Sequence, residues 1–457
     1  MFSFGALISK KPGVNLVSYK QEFLTNYKIA YPIVLGQVAH LLVALADNVM
    51  VGKLGDAPLA AVSLGNTLIY IALSIGIGFS FAITPLVSTA QGQENWTKVK
   101  RILDNGVFLS FIMGILLTAL LIVAEPLLFY MDQPAEVVEL AIPYMHIVSI
   151  SMVPLMLFQA FKQFSDGLSL TKHAMNAAVI ANVINVMLNY LLIYGEFGFP
   201  KLGLVGAAWG TLVSRIIMVI IIYISLSRKP SLHQQFKGPI FISKTDITKI
   251  LSLGFPTALQ MLFEVSLFTG AIFLSGMLGT KHQAANQIAL NLSALTFMFG
   301  IGLGVTATIR VGNQLGKRNF SYMKQIVKSL FFMVLVIEIL FMCLFFIGRN
   351  YLPWIYINDT EVIQIASHLL LIAAIFQVSD GIQVFLLGLL RGLHDVWYPS
   401  LFCFISYWCI GFPLAYYLGL HTYLSSMGIW VALLIALTSS ATMMFFRYKY
   451  LVRRISM

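Results

Sequence analysis

Apolar residues in this chain fall into long, nearly unbroken runs divided by short polar segments. Twelve runs stand out, at about 29–50, 59–87, 104–130, 138–162, 176–195, 203–226, 250–278, 284–309, 328–348, 362–390, 400–420 and 426–446. A helix crosses the hydrocarbon core of a bilayer with about 20 apolar residues. The runs are too long, and alternate too little, for the strands of a membrane barrel. The pattern predicts an all-α membrane protein of twelve transmembrane helices.

The basic residues between the runs orient it. Of the 29 lysines and arginines, 24 fall in segments on one side of such a bundle. These segments hold Lys10, Lys11, Lys20 and Lys28, then Lys98 to Arg101, Lys162 and Lys172, Arg228 to Lys249, Arg310 to Lys328, Arg391, and Arg447 to Arg454. Lys53, Lys201, Lys281 and Arg349 lie on the other side, and Arg215 lies inside the sixth run. Basic loops stay in the cytoplasm. Both termini are therefore expected there, in the inner membrane of a bacterial cell.

The chain also repeats itself. The offset that pairs Pro32 with Pro256 also pairs Gly52 with Gly276, and Leu54-Gly55 with Leu278-Gly279. Without a gap it goes on to pair Gly76-Ile77-Gly78 with Gly300-Ile301-Gly302, Thr84 with Thr308, Gly92 with Gly316, and Asn95 with Asn319. Glycine and proline matches carry backbone information that a bias towards Leu and Ile cannot supply. Six spans per half is an even number, so the halves form a parallel repeat, two six-helix lobes about an axis along the membrane normal. The expected order is a cytoplasmic N-terminus (1–28), an N-lobe (29–226), a cytoplasmic linker (227–249), a C-lobe (250–446) and a cytoplasmic C-terminus (447–457). Pro32 and Pro256 each remove a helical hydrogen bond, which points to a bend shared by both lobes.

Composition narrows the class. Hydrophobic residues make up 59% of the chain and charged residues 10%, against about 25% charged in soluble domains. The net charge of +11 follows from the cytoplasmic loops, so no nucleic-acid partner is expected. Cys343, Cys403 and Cys409 all lie in apolar runs, with neither a disulfide framework nor zinc spacing. The first sixteen residues lack a charged segment ahead of an apolar stretch, and are expected to be retained rather than cleaved.

Against this background the buried acids matter most. A carboxylate at mid-bilayer costs about 3 kcal/mol or more, and normally marks an ion or substrate path. Asp47, Glu264 and Asp380 lie within apolar runs. The repeat breaks at these positions, because Asp47 pairs with Ala271 and Glu264 with His40. The scaffold is duplicated and the ionisable groups are not, so the lobes are expected to do different chemistry. Helical spacing of three, four or seven gathers partners on single faces: Gln37 and His40 with Asp47, Gln260 with Glu264, Asn185 with Asn189, and Gln377 and Gln383 either side of Asp380. Such oxygen-rich sets suit Na⁺ or a proton rather than a transition metal. Glu264 and Asp380 are the candidates for Na⁺. His40 could titrate near neutrality or serve as a hydrogen-bonded bundle residue. Glu338 is a fourth intramembrane carboxyl, protonated, paired or facing a crevice. Arg215 is expected to snorkel or pair.

Four segments together resemble the multidrug and toxic compound extrusion (MATE) family, in its NorM-like branch, from about residue 20 to the C-terminus. They are Ala46-Asp47-Asn48-Val49-Met50-Val51-Gly52, Asn185 to Gly195, Phe263-Glu264-Val265-Ser266-Leu267-Phe268, and Asp380 to Gln383 with Leu390-Arg391-Gly392. The resemblance implies a secondary antiporter that expels organic, often cationic compounds in exchange for inward Na⁺ or H⁺, by alternating access of two lobes. It assigns cation coupling to Glu264 and Asp380. It assigns an N-lobe cation or proton site to Asp47, Asn185 and Asn189, with Thr211 a further member. Gln37, His40, Gln260, Gln377 and Gln383 are supporting candidates. No acid lies between Asp166 and Glu196, unlike the fifth span of some archaeal relatives, so a purely proton-driven switch of that kind is not expected. No catalytic set and no cofactor beyond the coupling ion are expected, and the protein is expected to act as a monomer in the bilayer. A flippase for a lipid-linked precursor is the alternative. Such a flippase needs a cationic cleft, and only Arg215 lies deep. An embedded enzyme and a channel fit less well, since no HExxH motif and no filter-like loop occurs.

Overall fold

The computed structural model describes residues 19–131 and 133–455. Lys10, Lys11, the first residues expected to be retained, and residues 456–457 of the expected C-terminal tail lie outside the described residues. Among the described residues there is no strand, and twelve helices are long and apolar enough to cross a membrane. They are α1 (Tyr19–Gly52), α2 (Asp56–Gly92), α3 (Trp96–Val123), α4 (Ala135–Gly167), α5 (Thr171–Tyr194) and α6 (Leu204–Ser227). The second half holds α7 (Lys244–Met277), α8 (Thr280–Lys317), α9 (Phe320–Gly348), α10 (Thr360–Gly392), α11 (Trp397–Leu420) and α12 (Ser426–Arg454).

Several helices outrun their apolar runs at the end of the bundle where α1 begins and α12 ends. Residues 19–28, read as tail, are the first turns of α1. Residues 244–249, read as linker, open α7, and α12 carries on through Arg453. Hydropathy marks the edge of the hydrocarbon, whereas a helix satisfies its own backbone and can continue into polar surroundings.

The repeat is written into the backbone. The tight turns before α2 and α8 place Gly55 at φ +123° and Gly279 at φ +117°, a region that strains any residue with a Cβ. The turns before α3 and α9 place Glu94 and Arg318 at φ 55° and 56°. Asn95 and Asn319 then cap the following helices, their side-chain oxygens accepting from the amides of Lys98 at 2.9 Å and Tyr322 at 3.1 Å. Asparagine at this position satisfies an otherwise free helical N–H.

Two large apolar cores result, one built mainly from α1–α6 and the other mainly from α7–α12. The first helix of each half crosses over. Ile250, Leu253 and Ala258 of α7 belong to the N-terminal core, and Ile29 and Ile33 of α1 pack on Val305 and Ile309 of α8. The close approach is reciprocal. A Cβ at Gly92 would sit 2.1 Å from the carbonyl oxygen of Asn313, and one at its counterpart Gly316 would sit 2.2 Å from that of Thr89.

Candidate cation and substrate sites

In the N-terminal half, α1, α5 and α6 bring together a chain of polar side chains. Asn189 donates to Asp47 Oδ1 at 2.7 Å and to Asn185 Oδ1 at 3.4 Å, and Asn185 donates to Ser214 Oγ at 3.3 Å. Asn185 and Asn189 are buried, and Asp47 is half-buried. The network depends on Gly210 of α6, since a Cβ there would lie 2.0 Å from Asn189 Oδ1. Close helix–helix approach at small residues is the usual membrane solution.

Asp47, Asn185 and Ser214 of this network line a cavity of about 330 Å³. Gln37, His40, Asp47, Asn185, Thr211 and Arg215 all contribute to its wall, as do Tyr70 and Tyr144. His40 and Gln37 also line a small niche of about 10 Å³ beside Lys162 and Asp166, which are paired at 3.2 Å. The Thr211 hydroxyl donates to the Ala207 carbonyl at 3.0 Å, a bond internal to α6. Arg215 donates to Ser151 Oγ at 2.6 Å, at the break between the two halves of α4. It is held in the protein wall rather than snorkelling.

A second polar set lies in the C-terminal half, and it is more deeply buried. Glu264, Gln260, Asp380, Gln377, Gln383 and Arg391 are all buried. Gln260 donates to Glu264 Oε2 at 3.5 Å, and Arg391 donates to Gln260 Oε1 at 3.3 Å. The Arg391 guanidinium also stacks 4.4 Å from the Phe81 ring centre, so it ties this set to the N-terminal half. Asp380 is buried on α10, and its Oδ1 has no hydrogen-bond partner among the described residues. The two glutamines flanking it turn to different neighbours. Gln377 accepts from Thr296. Gln383 donates to the Tyr407 hydroxyl at 2.7 Å, where α11 widens into a π-helical segment over Ile405–Gly411. Such widenings recur at functional sites.

Hydrogen bonds thus join Asp47 with Asn189 and Asn185 in one half, and Glu264 with Gln260 and Arg391 in the other, while Asp380 is buried on α10 of the second half. Comparison with known proteins accords with this architecture. Residues 32–191 and 256–417 each match the MatE family model, and the two matches begin at the paired prolines Pro32 and Pro256. The chain belongs to the MatE family. It is 31% identical over 447 residues to the probable multidrug resistance protein NorM of Rhizobium meliloti, covering 96% of both chains. It is 31% identical over 433 residues to the multidrug resistance protein NorM of Vibrio cholerae, covering 93% of this chain and 95% of that one. A eukaryotic MATE transporter, AtDTX14, superposes with a TM-score of 0.86 at 20% identity, over 96% of this chain and 98% of that one. An outward-facing multidrug resistance MATE transporter superposes with a TM-score of 0.87 at 19% identity, over 98% of this chain and 100% of that one. These two solved structures share the fold. The MatE chain is a NorM-like, multi-pass membrane transporter and not an enzyme.

Two residues of these sites in the MatE protein, Ser214 and Tyr407, carry no signal in the sequence pattern that marks them as members, and a third, Arg391, is marked only as part of a resembling segment. Arg391 reads as a loop cation, yet it closes α10 beside Gln260. Ser214 and Tyr407 lie on predicted spans, but serine and tyrosine in apolar runs are too common to single out. Glu338 stands out as an acid, and the pattern does not place it.

Proposed function

We propose that this MatE-family protein is a multidrug efflux transporter that expels small organic, often cationic compounds in exchange for inward Na⁺ or H⁺. Its two halves alternate access around a central cleft. One observation carries the reading: the acidic groups divide into two sets. Asp47 stands at the wall of the roughly 330 Å³ cavity of the N-terminal half, while Glu264 and Asp380 are buried in the other half. The NorM relatives are named as multidrug resistance proteins, which supports the substrate class.

The chemistry follows from charge and shape. A bare carboxylate in a dry wall seeks a counter-charge, and a small cation, a proton or a cationic compound supplies one. Tyr70 and Tyr144 offer aromatic faces for cation–π contact beside Asp47. Binding the coupling cation in one half and the compound in the other couples the two only through the arrangement of the halves, which is differential affinity for two states. Within this reading the termini are cytoplasmic, the membrane is the bacterial inner membrane, and the protein works as a monomer. Among the residues lining the cavity Arg215 is the only lysine or arginine, and it faces a carboxylate, so nothing there favours a phosphate-binding flippase.

Purified protein in proteoliposomes loaded with a fluorescent cationic compound tests the proposal. Efflux is expected to accelerate when a Na⁺ or proton gradient is imposed. Efflux that ignores both gradients would overturn it.

A further inference from the structure

The segment that joins the halves, residues 228–243, buries some of its apolar side chains and holds others out. Leu232 is buried in the N-terminal core, and the Phe236 ring packs on Phe161, Phe164 and Tyr223, with ring centres 6.3, 6.3 and 5.5 Å away. Ile240, Phe241 and Ile242 do the opposite, and are 75%, 49% and 51% exposed. Their backbone is nevertheless clamped by side chains of α3. The Phe241 amide donates to Asp104 Oδ2 at 3.1 Å, Asn105 Nδ2 donates to the Phe241 carbonyl at 2.8 Å, and the Ser243 amide donates to Asn105 Oδ1 at 2.9 Å. Arg101 adds a bond to Ser243 Oγ at 2.9 Å. Asn105 is itself buried, so the clamp is fixed and the three apolar side chains are held outward.

Two exposed apolar stripes end at this segment. On α3, Asp104 is followed at helical spacing by Phe108, Phe111 and Ile115, all exposed. On α7, Lys244 and Thr248 are followed by the exposed Leu251 and Phe255. Residues at spacings of three and four share a helix face, and on membrane-crossing helices such a face meets acyl chains. The surroundings are basic. Residues 228–249 hold five lysines and arginines and one acid, Asp246, which Arg101 already pairs at 2.7 Å. Lys237, Lys244 and Lys249 are exposed. Lys244, Thr245, Thr248, Lys249 and Ser252 line an open hollow of about 380 Å³, with Leu251 and Phe255 next along the helix.

We infer that this segment is a docking surface for anionic phospholipid of the adjoining leaflet. Ile240, Phe241 and Ile242 enter the boundary between headgroups and acyl chains, and Lys237, Lys244 and Lys249 meet the headgroup phosphates. Apolar side chains rimmed by lysines have the build of an interfacial anchor, and basic segments are drawn to an anionic leaflet. A soluble phosphate would satisfy the lysines and leave three large apolar side chains in water, whereas a lipid satisfies both. The surface is also continuous with the acyl-facing stripes of α3 and α7, which a soluble partner protein could not follow into the bilayer. Because the segment is clamped on α3 and runs directly into α7, a lipid seated there holds the two helices together and stabilises the state to which it binds. The inference does not depend on the transported compound or the coupling ion.

Full-length protein carrying Phe241→Trp in phosphatidylcholine nanodiscs tests it, with wild type supplying the signal of the six native tryptophans. A small share of phosphatidylglycerol brominated on its acyl chains is expected to quench the new tryptophan more than the same share of brominated phosphatidylcholine. Combining Lys237→Gln, Lys244→Gln and Lys249→Gln is expected to abolish that excess. The three lysines are exposed, so these changes leave the fold intact. Inorganic phosphate, added at an ionic strength matched with chloride, is expected to leave the excess in place. Equal quenching by the two lipids would overturn the inference. So would an absence of quenching by either, with the emission of a tryptophan in water, which would mark the surface as free for a soluble partner. Displacement of the brominated phosphatidylglycerol by phosphate would mark a soluble-anion site and overturn it as well.

Discussion

Glu22 and Asp246 are counterparts in the repeat, each in the first turn of its half's first helix, and each pairs with an arginine of the opposite half. Glu22 Oε2 accepts from Arg310 Nη1 at 2.6 Å, and the Tyr322 hydroxyl donates to Glu22 Oε1 at 2.5 Å. Asp246 Oδ2 accepts from Arg101 Nε at 2.7 Å. The acids correspond in the repeat, but their arginine partners do not, and the two ties differ in environment. The side chains of Arg310 and Glu22 are 9% and 1% exposed, whereas that of Arg101 is 41% exposed.

That difference sets the expected stabilities. Removing one partner of a buried pair costs about 3–5 kcal/mol, because the other charge is left without a partner. An arginine that reaches water loses much less, about 1 kcal/mol or under for exposed pairs. Glu22→Ala is therefore expected to lower the thermal unfolding midpoint in detergent clearly more than Asp246→Ala. Equal shifts would contradict this account of the ties.

A third tie between the halves is sensitive to acid. His394, in the loop between α10 and α11, lies with Nε2 3.1 Å from the Pro85 carbonyl oxygen, to which it donates, and 3.0 Å from Thr89 Oγ1. Burial pushes this imidazole below its ordinary value near 6.5, and the bond to Pro85 opposes the shift. Lys98 and Lys249 add to the lowering. With the folded value depressed, the unfolded chain binds the proton more readily. The contribution of His394 is thus fully present above about pH 6.5 and is lost as pH falls through the folded value. Unfolding midpoints measured across this window are expected to fall on acidification, and to fall less steeply in His394→Gln.

In the N-terminal half the contact to probe is the one between Gly210 and Asn189. Gly210→Ala is expected to push the Asn189 amide off Asp47 and to reduce efflux about as strongly as Asn189→Ala. The added methyl would clash with the Asn189 side-chain amide, while the nearest backbone atom, the Asn189 nitrogen, lies at an ordinary contact distance of 3.4 Å, so the fold is expected to survive. Efflux at the wild-type rate in Gly210→Ala, with normal amounts of protein in the membrane, would count against a role for the Asp47–Asn189 bond.

In the C-terminal half, Glu264→Gln and Asp380→Asn are each expected to abolish efflux or reduce it severely, leaving insertion intact. Wild-type drug resistance in cells making either variant at normal levels would refute the assignment.

Much of this architecture was legible in the chain. Apolar runs of spanning length gave the twelve helices, and glycine and proline matches gave the repeat, because both are local signals. Helical spacing also put Asn185 beside Asn189 and Gln260 beside Glu264. The ties between the halves were not legible. Glu22 and Asp246 lie where the apolar runs fade, and their partners are 288 and 145 residues away. Glu338 was visible as an acid in an apolar run, but its seat depends on Gly300 and Gly381 of two other helices. Periodicity places a residue on a face, and only the packing of several faces shows what that residue meets.

The central claim is that the cation site belongs to the Glu264 and Asp380 set, while the Asp47 set serves the other half of the cycle. Calorimetric titration of Na⁺ into purified protein tests it most directly. Asp47→Asn is expected to retain measurable cation binding, and the double variant Glu264→Gln with Asp380→Asn to lose it. Loss of all binding in Asp47→Asn, with normal binding in the double variant, would contradict the account.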